Sequence, residues 1–477
     1  TFNSCLTFHC HFCLFLSDNL FQGSTQKVMK RKIYSQLLRW KSDDNGQNAL
    51  LIDGARRVGK SYIVEEFAKN EYESYILIDF NNTMQQVLDL FRDYLYDLDT
   101  FFMYLQLYFN VKLTARKSLI IFDEVQAFPE ARAAIKYLVK DGRYDYIETG
   151  SLVSINKNVK NIMIPSEEIR INMYPMDFEE FLWAMDEEAI MQLIKNQFAK
   201  LKPLGLDMHR KAMTLFRQYM IVGGMPKAVD TYVKTRDFTK VDTIKRAIIS
   251  LYRNDIQKYA EGNEVRVTSI FDLIPSQLQK HEKKFRLSEI KAGARMREYE
   301  GAFFWLNEAM VANICYGATE PNIGLNLKLE NSSLKCYMAD TGLLISMAFD
   351  ENRIMQESLY KKLMMDKLEV NEGMLVENIV AQMLKAKGHK LFFYSNYSRE
   401  AEDRMEIDFL IAKPSITSKH NISPIEVKST NRYTISSLEK CVRKYKNYLS
   451  TPYVIHTSDL AEKDGIVYLP LYMTPLL

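Results

Sequence analysis

Gly54-Ala55-Arg56-Arg57-Val58-Gly59-Lys60-Ser61 sets two glycines five positions apart and follows the second with an amine and a hydroxyl. That spacing suits a loop whose backbone N–H groups turn inward around phosphate oxygens. Glycine tolerates the torsions, and a helix starting at the loop's end adds partial positive charge. Lys60 is then placed for the β and γ phosphates of a nucleoside triphosphate and Ser61 for a magnesium ion, with Tyr62 closing the binding segment. The competing reading is a glycine turn that happens to precede Lys-Ser. The loop's place between an apolar run, residues 49–52, and a helical pattern, residues 60–70, argues against it.

Asp123 and Glu124 end a second apolar run, residues 118–122. Two carboxylates there divide the work of hydrolysis: Asp123 holds the metal through its water shell, and Glu124 polarises the attacking water. Thr149 closes the next run within Glu148-Thr149-Gly150-Ser151, where its hydroxyl could sense a γ-phosphate or orient water. Farther on, Asp408 is followed 18 residues later by Glu426-Val427-Lys428. Strand alternation puts Glu426 and Lys428 on one face, so Asp408 and Glu426 could share a second magnesium ion while Lys428 orients water. Glu377, on a helix before them, is placed as a further acid, and all four groups are expected to converge on one metal.

These residues need elements to carry them. Residues 49–52, 74–80, 118–122 and 144–147 read as strands and residues 60–70 as a helix, an alternation that implies a parallel sheet covered by helices. After residue 176 amphipathic helical patterns dominate to about residue 260. Residues 287–290 and 296–311, about Gly293, read as two helices joined by a tight turn, as in a winged helix. From residue 371 a helix and the strands 390–394, 406–411 and 424–428 describe a compact third unit.

With 477 residues, at roughly 100–200 per domain, several domains are expected. Hydrophobic residues at 47% and a net charge of +3 describe a globular chain whose nucleic-acid surface, if any, is a local patch. Two patches are candidates for DNA: Lys280, Lys283, Lys284, Arg286, Lys291, Arg295 and Arg297, then Lys428, Arg432, Lys440, Arg443, Lys444 and Lys446 with Tyr433, Tyr445 and Tyr448 interleaved. A solvated helical face is the competing reading of each. Six scattered cysteines make no disulfide framework, and His9-Cys10-His11-Phe12-Cys13 lacks a second ligand pair at zinc-finger spacing. No apolar stretch reaches a bilayer span, so no membrane role and a cytoplasmic location are expected. Residues 1–28 read as a non-native or disordered leader before Met29.

The phosphate loop, Phe122-Asp123-Glu124-Val125-Gln126 and Glu148-Thr149-Gly150-Ser151, followed by Met173-Tyr174-Pro175-Met176-Asp177-Phe178-Glu179-Glu180-Phe181, resemble a prokaryotic family of AAA-type ATP-binding proteins. Gly223-Gly224-Met225-Pro226, Tyr252-Arg253-Asn254-Asp255-Ile256 and Tyr337-Met338-Ala339-Asp340-Thr341-Gly342-Leu343 extend the resemblance over residues 29–477. In that family a domain of unknown function follows the ATPase. The resemblance implies ATP and Mg2+ as cofactors and an α/β fold in three parts. These are a P-loop parallel-sheet ATPase domain over 29–176, a mostly helical middle domain with a winged-helix portion over 177–365, and a small restriction-endonuclease-like α/β domain over 366–477. DNA or a protein is the implied partner. Where relatives carry a Gly-Arg pair before the Tyr-Pro element, this chain has Ser166-Glu167-Glu168, so an arginine finger for an oligomer is unassigned and Arg170 is its nearest candidate.

Overall fold

The computed structural model describes residues 29–150, 166–280, 283–322, 324–349, 372–412, 420–430 and 432–477, with residues 360, 362 and 364. The expected leader, the His/Cys cluster within it and Ser151 lie outside the described residues.

Strands β1 (Ala49–Asp53), β2 (Ser74–Asp79), β3 (Ser118–Asp123), β4 (Asp145–Gly150) and β5 (Glu168–Asn172) form one sheet in the order β2-β3-β4-β1-β5. All neighbours are parallel. Every residue of β1, β3 and β4 is buried, as expected of a parallel sheet covered on both faces, and this is why their sequences read as unbroken apolar runs. Leu50, Ile52, Leu119 and Ile121 pack into one core with the helix Lys60–Glu71, while Ala49, Leu51, Ile120 and Phe122 pack into another. The second core is aromatic: Phe91 meets Phe101 at 5.2 Å and Phe122 at 5.5 Å, both edge-on. Each such ring contributes about 1.5–3 kcal/mol by leaving water. The long aromatic stretch of the sequence supplies this core as two helices, Gln85–Asp93 and Leu98–Phe109.

Helices Phe178–Ala184, Glu188–Ala199, Leu206–Val222, Pro226–Thr235 and Phe238–Tyr259 follow. The first opens with a capping box in which Asp177 and Glu180 each bind the other's backbone N–H. Gly223, at φ +82°, ends the Leu206–Val222 helix, and Pro226 opens the next at its first turn, so the expected tight turn is present. The helix pair expected across 287–311 is not formed as such. Leu287–Glu289 is a single 3-10 turn, Gly293 sits at φ +77°, and only Met296–Glu308 is a full helix.

A second sheet holds β6 (Ala312–Ala318), β7 (Leu329–Met338), β8 (Phe392–Asn396), β9 (Met405–Ala412), β10 (Ile422–Val427), β11 (Tyr453–His456), β12 (Ala461–Lys463) and β13 (Ile466–Pro470). Its order is β12-β13-β11-β10-β9-β8-β6-β7. Because β6 pairs with β8 through Tyr316 and Phe392, this sheet crosses the boundary expected between residues 365 and 366. Among the described residues no helix is long and apolar enough to cross a membrane.

Candidate functional site

The order of the first sheet brings the chemistry together. β4 lies between β1 and β3, so the end of β4 opens between the phosphate loop and the acid pair. The loop itself is tightly wound. Arg57 adopts φ +71° and Gly59 φ +95°, and a Cβ on Gly54 would stand 2.4 Å from the Met173 carbonyl oxygen. Gly54, Ala55 and Val58 are buried, whereas Arg56, Arg57 and Tyr62 are exposed.

Asp123 is the centre of the site. Its Oδ1 accepts from Ser61 Oγ at 2.7 Å and from the Thr149 hydroxyl. Burial pushes the Asp123 carboxyl above its ordinary range, against the pull of those two hydroxyls. Lys60 is buried and donates to the carbonyls of Gly54 at 2.8 Å and Ala55 at 3.2 Å. Burial holds its amine below the ordinary lysine value, although Glu124, Asp53 and Asp123 draw it up. Glu124 is left-handed at φ +54°, its N–H donates to Thr149 Oγ1 at 3.3 Å, and its carboxylate accepts from the Gln126 amide. Lys60, Ser61, Asp123, Glu124 and Thr149 therefore converge, as the spacing predicts.

Ser61 and Asp123 offer hard oxygen ligands beside a loop built for phosphate, and this donor set fits Mg2+. Tyr62 lies apart from that set; its hydroxyl accepts from the Met29 N–H at 3.3 Å.

Several residues around the loop carried no assigned role in the sequence. Arg31, with a side chain 5% exposed, donates to Val58 O at 2.8 Å and Tyr174 O at 2.7 Å and pairs with Glu180 at 3.1 Å. Arg56 pairs with Asp255 at 2.6 Å, and its carbonyl accepts from the Tyr252 hydroxyl at 3.1 Å. The motifs containing Tyr174, Pro226, Tyr252 and Asp255 were visible, but only folding brings them against the loop. Arg170 lies exposed on the edge strand β5.

The C-terminal residues meet differently from expectation. Glu426 pairs with Lys428 at 2.6 Å, while Glu377 and Asp408 face Lys335 of β7. No group of three or more His, Cys, Asp or Glu that could hold a metal ion occurs among the described residues. Lys335 stands between Glu377 and Asp408, and Glu426 is paired with Lys428 instead. Parts of both basic patches are also spent internally: Lys283 binds Glu377, Lys440 donates to Ala401 O at 2.7 Å, and Lys444 pairs with Asp403 at 2.5 Å.

Comparison with known proteins gives three family matches along the chain. Residues 46–182 match the family model of the AAA domain, residues 213–353 a domain of unknown function (DUF8612), and residues 372–473 another (DUF4143). No curated protein matches the chain. Among solved structures, the Walker-type ATPase PABY2304 of Pyrococcus abyssi is 16% identical, covering 68% of this chain and 97% of its own at a TM-score of 0.38. A STAND protein with a tetratricopeptide repeat sensor, PH0952 from Pyrococcus horikoshii, is 12% identical, covering 76% of this chain and 46% of its own at 0.27. Cdc6p from Pyrobaculum aerophilum is 11% identical, covering 74% and 99% at 0.24. At these scores the structural likenesses carry no argument. The AAA match and the site's geometry together identify a P-loop ATPase domain of AAA type.

Proposed function

We propose that the chain hydrolyses ATP with Mg2+ and works as an ATP-driven switch, passing the state of the phosphate loop to the helical domain. The carrying observation is that Lys60, Ser61, Asp123, Glu124 and Thr149 meet at the end of β4, where the helical domain also grips Arg56 through Tyr252 and Asp255.

Each residue has a step. Lys60 exchanges the carbonyls of Gly54 and Ala55 for phosphate oxygens, and the loop N–H groups complete the cradle. Ser61 and Asp123 would hold the magnesium ion, which supplies charge neutralisation between the β and γ phosphates. Glu124 takes the proton of the attacking water, and Thr149 orients that water or reads the γ-phosphate, since its hydroxyl already joins Asp123 to the Glu124 N–H. Arg56 follows the phosphate and carries its tether to the Phe238–Tyr259 helix with it.

A second reading couples the same hydrolysis to DNA binding. Lys291, Arg295 and Arg297, exposed before and at the start of the Met296–Glu308 helix, favour it. Phosphate release measured with and without duplex and single-stranded DNA separates the two. A rate indifferent to DNA supports the switch, DNA stimulation supports the second reading, and no release under any condition removes both.

A further inference from the structure

Lys335 lies on β7 with a side chain 1% exposed. Its Nζ stands 3.3 Å from Glu377 Oε1, 3.2 Å from Glu406 Oε1 and 3.7 Å from Asp408 Oδ1. Other oxygens of Glu377 and Asp408 are engaged as well. Glu377 Oε2 takes Lys283, Glu377 Oε1 takes the Tyr337 hydroxyl, and Asp408 Oδ2 accepts the Val427 N–H at 2.9 Å. Glu426 Oε1 is held by Lys428 at 2.6 Å, and its buried Oε2 has no hydrogen-bond partner.

A buried charge persists only when paired, and here the pairing is mutual. Three carboxylates surround one ammonium, and a second ammonium, Lys283, closes the far side of Glu377. A divalent magnesium ion needs about six oxygen ligands near 2.1 Å in octahedral order. At Glu377 and Asp408 it would have to displace the buried Lys335 ammonium.

We infer that Lys335 is the resident cation of Glu377, Glu406 and Asp408, so that these carboxylates take no divalent metal and support no metal-dependent phosphodiester cleavage. The cluster serves instead as a joint. It fastens β7 to the helix Glu372–Ala386 through Glu377 and to β9 through Glu406 and Asp408, across the segment between the two domains of unknown function. This inference is independent of the ATPase reading.

The test is Mn2+ binding by electron paramagnetic resonance on the full chain without nucleotide, for the wild type, Asp408→Asn, Lys335→Met and the double variant. The expected result is that Asp408→Asn leaves wild-type binding unchanged. Lys335→Met should tighten Mn2+ binding at least about tenfold by adding a site that the double variant lacks, because removing the ammonium leaves carboxylates in need of a cation. Circular dichroism and a cooperative thermal melt check that each variant is folded. A wild-type Mn2+ site lost in Asp408→Asn overturns the inference. So does magnesium-dependent plasmid nicking lost in the same variant, or a folded Lys335→Met chain that gains no site. Should Lys335→Met not fold, the comparison of wild type with Asp408→Asn still decides.

Discussion

Arg31 shows how much of the phosphate loop is held from outside it. Its guanidinium ties Val58 and Tyr174 together while neutralising the buried Glu180. Arg31→Met leaves that carboxylate without its cation and two carbonyls without donors, a loss of about 3–5 kcal/mol by urea denaturation. Asp255→Asn acts on the other side of the loop. The Arg56 side chain is 43% exposed, so the pair is worth only about 0.5–1 kcal/mol in solvent. ATP affinity should therefore shift by roughly two- to fivefold while the melting temperature barely moves. The meeting of Ser61, Asp123 and Thr149 was legible, because Gly54 to Ser61 and Asp123-Glu124 are local patterns whose context the apolar runs provide. Arg31 and Asp255 were not legible, since a single charge says nothing about a partner 149 or 199 positions away.

At the scale of elements, the turn Gly223-Gly224 sets the seat of the helical domain. A Cβ on Gly224 would lie 2.2 Å from Met176 O, and one on Gly223 would lie 2.3 Å from Asp340 Oδ1. Asp340 is buried, its carboxylate oxygens accept from the N–H groups of Gly224 and Leu343, and it caps the helix Thr341–Ala348. Gly224→Ala should cost about 1–3 kcal/mol through backbone displacement, read as a lower melting temperature with the AAA-domain contacts otherwise intact. The strands around the phosphate loop could be read because turns and helices punctuate them. β6 and β7 could not, since Ala312–Ala318 is buried on both faces and shows no alternation. The expected helix at 287–290 fell short because the chain turns at Gly293 and resumes only at Met296.

The largest apolar core among the described residues runs from Ile33 through the helical domain to Met473 and draws on all three sequence units, beside two smaller cores. His209 pins its far end. One ring nitrogen meets the Tyr472 hydroxyl at 2.9 Å and the other the Thr457 carbonyl at 3.2 Å. Burial depresses the His209 pKa below its ordinary 6.5, partly offset by Asp459. The stabilising neutral form is thus present above about pH 6.5 and is lost as pH falls through the depressed folded value. Wild type should lose stability over that acid range more steeply than His209→Gln, as thermal melts at successive pH values would show. The second sheet spans two of the domains expected from the sequence. Pairing between β6 and β8 is a long-range choice that no local pattern announces.

The claim on which the account rests is that Glu124 activates water beside a phosphate site built by Lys60, Ser61 and Asp123. Equilibrium ATP binding and single-turnover phosphate release, measured side by side for the wild type and Glu124→Gln with Mg2+, address it directly. The account predicts ATP affinity within about threefold and release slowed by roughly a hundredfold or more, the contribution expected of a positioned general base. Release at the wild-type rate by Glu124→Gln, or a wild-type chain that binds ATP and never turns it over, would contradict it.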